Sequence, residues 1–362
     1  MMFVPSFTRF SSVGAPALRP PFGDLSVWMK QGVVAFAVSM FAVAALPARA
    51  QDNAEGNSVR TVNQWLTRMH EASRQRAYTG TLVVSAGSTM SASRVWHVCD
   101  GKQQMERIET LTGAPRTTIR HNNDVITFAP DQKVAWVEKR ESLGLFPELL
   151  RTPANQIPEY YGVRERGIER VAGHLSDVVE IVPRDELRFG YRIWSEKQTG
   201  LVMKLQTVDA RGEVLEQLAF TELQLNAPVR MKKLAQLMKD TRGYEVHHSV
   251  LKATTLEAEG WRLKELVPGF LLMNCHAREP DQQSPFDAPA MQCVYSDGLA
   301  SVSLFFEPMA ADADAVQVDT RLAVMGATHS LARQIGAFRI TVLGEVPPQS
   351  LGRFAQAIER SP

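Results

Sequence analysis

Between Tyr78 and Leu225 apolar and polar residues alternate in short runs, and most runs end at a pair of turn formers. A period of two places alternate side chains on opposite faces of a sheet, so this pattern commits the segment to antiparallel strands. The runs are Tyr78–Ser85, Ser93–Cys99, Gln103–Glu109, Arg116–His121, Asp124–Phe128 and Val134–Glu138, then Val163–Val171, His174–Pro183, Tyr191–Glu196, Leu201–Asp209 and Val214–Leu225. Asp100-Gly101, Thr112-Gly113, Asn122-Asn123, Ala172-Gly173, Thr199-Gly200 and Arg211-Gly212 are among the turns. About eleven strands in one antiparallel sheet should curl strongly. One stretch, Leu143–Tyr161, breaks the pattern with prolines and short helical pieces, and one amphipathic helix precedes the strands: Val59, Val62, Trp65, Leu66 and Met69 recur at helical spacing as far as about Arg76.

From Asn226 to Glu259 the alternation lapses into mixed charge, which reads as a linker with a short helix at Met231–Lys239. A second, smaller β-rich domain follows over 260–360. Its strands are expected at Trp261–Leu266, Gly269–His276, Met291–Tyr295, Ala300–Phe306, His329–Gln334 and Phe338–Leu343, with a closing helix at Gln349–Glu359 after Pro347-Pro348. The first domain then spans 58–225. The fold class is α+β, mainly β with few helices.

Residues 1–50 read as an export signal. Gly32–Leu46 is an uncharged apolar run preceded by Lys30 and followed by Ala48-Arg49-Ala50, a small-x-small cleavage site before Gln51. The residues upstream of Met29 fit no part of such a signal, so Met29 is the expected start. Of 40 basic and 39 acidic residues the leader holds four basic and one acidic, which leaves 36 against 38 in the exported chain. A nearly balanced charge argues against nucleic acid as a partner. In an oxidising compartment Cys275 and Cys293 fall opposite each other if their runs pair as a hairpin, either as a disulfide or as two buried free thiols. Cys99 is left over.

The chain lacks G-x-S-x-G, a phosphate loop, G-x-G-x-x-G and H-E-x-x-H. His247 and His248 are adjacent, which suits two faces of a strand better than one metal, and Asp185-Glu186 reads as a solvated turn. No enzyme, cofactor or metal is expected. Ser296-Asp297-Gly298 reads as a hairpin turn with Gly298 at positive φ. A curled sheet capped by helices can enclose a cavity for lipid chains or fill it with its own side chains, and pattern does not separate the two.

Particular strings carry more than the pattern does. Tyr78-Thr-Gly-Thr-Leu82, Glu106-Arg107…Leu111-Thr-Gly113-Ala-Pro115-Arg116…Arg120, Arg170-Val-Ala-Gly173, Pro183-Arg-Asp185 with Tyr191-Arg-Ile-Trp194, Gly212…Glu216, Pro268-Gly-Phe270, Tyr295-Ser-Asp-Gly-Leu-Ala-Ser-Val-Ser-Leu-Phe-Phe-Glu-Pro308, Met325-Gly-Ala327 and Val342-Leu-Gly-Glu-Val-Pro347 resemble the periplasmic MucB/RseB family. The resemblance runs from about Ser58 to Ile358. It implies a large half-barrel similar to the Lol lipoprotein carriers, followed by a smaller domain. It also implies a periplasmic regulator, not an enzyme, that binds the periplasmic region of a membrane-spanning anti-sigma factor and protects it from proteolysis. Lipopolysaccharide or lipoprotein acyl chains would release it; a lipoprotein or lipid carrier is the alternative reading, and homodimerisation stays open. On this resemblance Ser296, Asp297, Gly298, Leu299, Phe305 and Glu307 are partner-binding candidates, and Leu82, Trp96, Phe128, Trp136, Leu145 and Phe146 are candidates for lining a lipid cavity. The Cys275/Cys293 pair is not part of the family pattern.

Overall fold

The computed structural model describes residues 60–139, 156–248, 251–278, 290–309 and 322–361. The leader with Met29, Leu145, Phe146 and residues 279–289 between the two cysteine strands lie outside them. No helix among the described residues is long and apolar enough to cross a membrane.

Helix α1 spans Val62–Gln75 and starts there because Thr61 caps it. The Gln64 amide donates to the Thr61 hydroxyl at 3.3 Å, and the Thr61 amide donates to the Gln64 side chain at 2.7 Å, a reciprocal capping box. Six strands follow as a meander: β1 (Tyr78–Ala86), β2 (Thr89–Cys99), β3 (Gln104–Thr110), β4 (Thr117–His121), β5 (Asp124–Ala129) and β6 (Val134–Lys139). After the short α2 (Ile157–Tyr160) comes a second meander: β7 (Tyr161–Val171), β8 (His174–Pro183), β9 (Gly190–Glu196), β10 (Val202–Val208) and β11 (Val214–Leu225). The meanders join where β11 pairs antiparallel with β1. Helix α3 (Met231–Lys239) and β12 (Glu245–His248) complete this part, β12 running parallel to β6. The result is a twelve-stranded sheet in the order β12-β6-β5-β4-β3-β2-β1-β11-β10-β9-β8-β7. Much of the segment read as a linker is thus built onto the first sheet.

The sheet curls. Strands β8 and β11 are three spacings apart, about 14 Å if the sheet were flat, yet the His174 ring nitrogen lies 3.3 Å from the Leu223 carbonyl. The long strands converge past the ends of the shorter β9 and β10.

Register assigns each side chain to a face. Val179, Ile193, Leu205 and Leu218 are mutual cross-strand partners, and Leu218 pairs with Val84 of β1. That face packs against α1 through Trp65, Leu66 and Met69. Followed along β1 and across β2 to β6, it holds Leu82, Val95, Thr118, Thr127 and Trp136. The opposite face holds Ile119, Ile126, Phe128 and Ala135, covered by Leu234 and Met238 of α3. Helices therefore cover opposite faces of the two halves.

The second sheet has seven strands in the order β13-β15-β16-β17-β20-β19-β18. They are β13 (Leu251–Ala253), β15 (Leu271–Arg278), β16 (Ala290–Ser296), β17 (Ser301–Pro308), β18 (Leu322–Met325), β19 (Thr328–Ile335) and β20 (Phe338–Gly344). A two-stranded ribbon pairs β14 (Trp261–Leu263) with β21 (Ile358–Arg360), which follows α4 (Pro348–Ala357). The core of this part is aromatic. Trp261 sits 4.8 Å from Phe306 and 5.3 Å from Phe338, and Phe354 of α4 lies 5.5 Å from Phe270 and 5.4 Å from Tyr295.

Cys275 and Cys293 face each other across β15 and β16 and are joined by a disulfide inside this core. Cys99 is the free cysteine, its thiol pushed up by burial and by Asp100. Thiol titration of the unfolded, unreduced protein, exported and purified without reductant, should therefore find one reactive group per chain, lost in Cys99→Ser. Three groups would mean that the bridge is absent.

Candidate functional site

The turn between β16 and β17 is where the second sheet grips the first. Asp297 in that turn is 1% exposed. Its carboxylate accepts from the amides of Leu299 and Ala300 at 2.9 and 2.8 Å, which is why the turn closes on an aspartate. Its other oxygen accepts from the Tyr161 hydroxyl at 2.8 Å and from Arg188 Nε at 2.7 Å, both in the first part of the chain.

Arg188 lies in the loop between β8 and β9, and its side chain is wholly buried. Its remaining nitrogens donate to Asp185 and to the Pro268 carbonyl. Its plane sits over the Tyr160 ring at 4.2 Å and near Phe270 at 5.0 Å. Burial works against the guanidinium charge, but Asp297, Tyr161 and Asp185 outweigh it and hold its pKa above the usual value. Burial, then Asp297, pushes the Tyr161 hydroxyl well up, so it stays a donor. The backbone makes room: Gly269 has φ +79, and a Cβ there would stand 2.2 Å from the guanidinium and 2.7 Å from the Tyr160 ring.

Each part also inserts an apolar residue into the other. Leu187, beside Arg188, belongs to the aromatic core of the second part, where the Ser350 hydroxyl donates to its carbonyl at 2.7 Å. Leu299 belongs to the cluster under α1, with Val179, Ile181 and Tyr191.

A third contact lies at the ends of β1 and β11. Glu216 is 7% exposed and faces the Met325-Gly326-Ala327 turn, where a Cβ on Gly326 would stand 2.7 Å from Ala86 and 3.2 Å from the Glu216 carboxylate. Burial and the nearby Glu345 push the Glu216 carboxyl up to about 7, against a stabilising backbone bond from Ala327. His329, just past this turn, donates Nδ1–H to the Val346 carbonyl at 2.8 Å, and burial lowers its pKa.

These placements revise several expectations. Asp297, Gly298 and Leu299 are buried between the two parts and Ser296 is half-buried, so the turn binds the chain's own Arg188 and Tyr161 rather than presenting a free surface. Phe305 and Glu307 are half-buried on the face of β17 turned away from the aromatic core. Leu82 and Trp136 lie on the α1 face of the first sheet, whereas Trp96 and Phe128 lie on the other, where Arg107 stacks on Trp96 at 4.7 Å. Four residues divided between two faces cannot line one cavity. Their large apolar side chains suggested a common wall, but strand parity decides the face. Asp185, read as a solvated turn charge, is a partner of Arg188.

Sequence reasoning missed Arg188, Tyr161 and Glu216 as a group because only the topology brings them together. A signal was nevertheless present. Pro183–Asp185, Tyr191, Glu216, Pro268–Phe270, Ser296–Leu299, Met325–Ala327 and Gly344–Pro347 all lie in strings that carry the family resemblance, and all converge on this junction. Among the described residues no group of three or more His, Cys, Asp and Glu is placed to hold a metal.

Comparison with known proteins matches the MucB/RseB N-terminal domain to residues 61–238 and the MucB/RseB C-terminal domain to residues 255–359. The chain is 29% identical to the sigma factor AlgU regulatory protein MucB of Pseudomonas aeruginosa over 82% of its length and 90% of that protein. It is 24% identical to the sigma-E factor regulatory protein RseB of Escherichia coli K12 over 81% of its length and 89% of that protein. Among solved structures, MucB in the Pseudomonas aeruginosa MucA/MucB complex aligns with TM-score 0.62 at 26% identity, covering 83% of this chain and 99% of that one. The crystal structure of MucB alone aligns with TM-score 0.59 over 82% of this chain.

Proposed function

The chain belongs to the MucB/RseB family, and from that premise we propose that it is a periplasmic regulator that binds the periplasmic region of a membrane-spanning anti-sigma factor. In the bound state it shields that protein from the protease that begins its destruction, and so restrains an envelope-stress sigma factor. Lipopolysaccharide or mislocalised lipoprotein lipid releases it. The observation that carries this reading is the likeness, over both sheets, to a MucB chain whose structure was solved in complex with MucA.

Release follows from differential affinity, since a ligand shifts the balance only as far as it binds the free and partner-bound forms unequally. In this reading lipid acts on the first domain, over 58–225, the second, over 260–360, supplies most of the partner affinity, and residues 226–259 connect them. Phe305 and Glu307, outside the aromatic core, are partner contacts in this scheme. Ser296 to Leu299 act through the junction, by fixing how the parts meet.

Binding of the exported protein to the periplasmic fragment of its cognate anti-sigma factor, measured with and without lipopolysaccharide, tests this. Association at micromolar or lower concentration is expected, weakened by the lipid. No association at micromolar concentration rejects the proposal.

A further inference from the structure

Helix α3 lies against the face of the first sheet opposite to α1, and only one side of it is used. Leu234 is buried and Met231, Ala235 and Met238 pack beside it on β3 to β6. Lys232, Lys233, Gln236, Leu237 and Lys239 are exposed, and helical geometry gathers them into a single arc of roughly 160°.

The charge on that arc is concentrated. Between Asn226 and Gly243 there are five cations, Arg230, Lys232, Lys233, Lys239 and Arg242, against one carboxylate, Asp240, in a chain whose exported part is close to neutral. Asp240 is taken by Arg242 through two bonds of 2.7 Å. Among the described residues Arg230, Lys232, Lys233 and Lys239 have no ion-pair partner, and all four are exposed.

We propose that the exposed arc of α3 is a docking surface for an anionic phospholipid bilayer. Its charge complements a layer of phosphate headgroups. Lysine suits that partner, because a mobile ammonium on a long stem satisfies a diffuse, fluid array of phosphates without needing the fixed geometry that an arginine fork exploits. The helix lies flat on its sheet, with its apolar side already buried, so its cations face outward together, and Leu237, 37% exposed in their midst, adds an apolar contact. Each lysine near such a surface strengthens binding about fivefold, an effect that salt screens.

The test is co-sedimentation of the exported protein with phosphatidylcholine vesicles that either lack phosphatidylglycerol or contain it as roughly a third of the lipid. Binding is expected only with phosphatidylglycerol and should fall as salt rises. The three glutamine substitutions, Lys232→Gln/Lys233→Gln/Lys239→Gln, should lower it about a hundredfold, and the reversal Lys232→Glu/Lys233→Glu/Lys239→Glu should lower it further. Reversal of exposed cations on other elements, Lys102→Glu/Arg211→Glu/Lys252→Glu, should leave most of the binding. Equal binding to both vesicle types, none to either, or equal losses from the two reversals would overturn the proposal. So would a reversal of α3 that weakens binding to the anti-sigma factor fragment but not to vesicles, which would make this arc a protein-docking face.

Discussion

Arg188→Ala is expected to destabilise the protein by about 3–5 kcal/mol, with the loss concentrated where the two sheets meet. The reason is an asymmetry in the electrostatics of buried pairs. Removing both members of such a pair can be nearly neutral, but removing one leaves the other charged and dry, at a cost of about 3–5 kcal/mol. Arg188 and Asp297 both have fully buried side chains. In Arg188→Ala, Asp297 would keep the Tyr161 hydroxyl and the two turn amides, but no neighbouring cation would balance it. The Pro268 carbonyl and the Tyr160 ring would lose their partner too. An Arg188→Met/Asp297→Asn double variant should recover more than half of the loss, because no fully buried charge is left unpaired; Asp185, the other carboxylate on Arg188, is 32% exposed and can turn to water. Denaturant unfolding of Arg188→Met, Asp297→Asn and the double variant gives the coupling directly. A loss below about 1 kcal/mol in Arg188→Ala would show that the pair does not hold the junction.

The elements that could be read from sequence are those decided by local pattern. Two-residue alternation and turn pairs located every strand from β1 to β11, because each such strand has one face against a core and one against a helix or solvent. The short strands β12, β13, β18 and β21 were invisible: three or four residues hold too few periods to register, and β12 forms only because β6 offers a parallel edge. The site was less legible for a different reason. Tyr161, Arg188, Glu216, Gly269, Asp297 and Gly326 are far apart in the chain, and nothing local distinguishes a buried arginine in a loop from an exposed one. Asp297 looked like a turn residue and is one; its second task, balancing Arg188, exists only once the second sheet meets the first. Cavity candidates failed on parity, since Trp96 and Trp136 are alike in composition and opposite in face.

Glu216 supplies the second large effect, and its sign is fixed by the direction of its pKa. Its carboxyl is raised from 4.5 to about 7 in the folded protein, by burial first and by Glu345 second. Between those values the folded chain holds a proton that the unfolded chain has given up, so this group's contribution to stability falls as pH rises from about 4.5 and levels off above about 7. The full shift corresponds to about 3 kcal/mol, at 1.36 kcal/mol per pH unit. Glu216→Gln removes the titration while keeping an oxygen that can accept the Ala327 amide. Its stability should match the wild type near pH 4, exceed it increasingly through the neutral range, and reach an advantage of up to about 3 kcal/mol at pH 8. The remaining groups are shared by both proteins, so the difference between the two curves reports Glu216 together with its coupling to Glu345. Because Glu216 faces the Gly326 turn across the junction, mild alkali should loosen the contact between the sheets before either unfolds. Parallel curves for the two proteins between pH 5 and pH 8 would contradict this account.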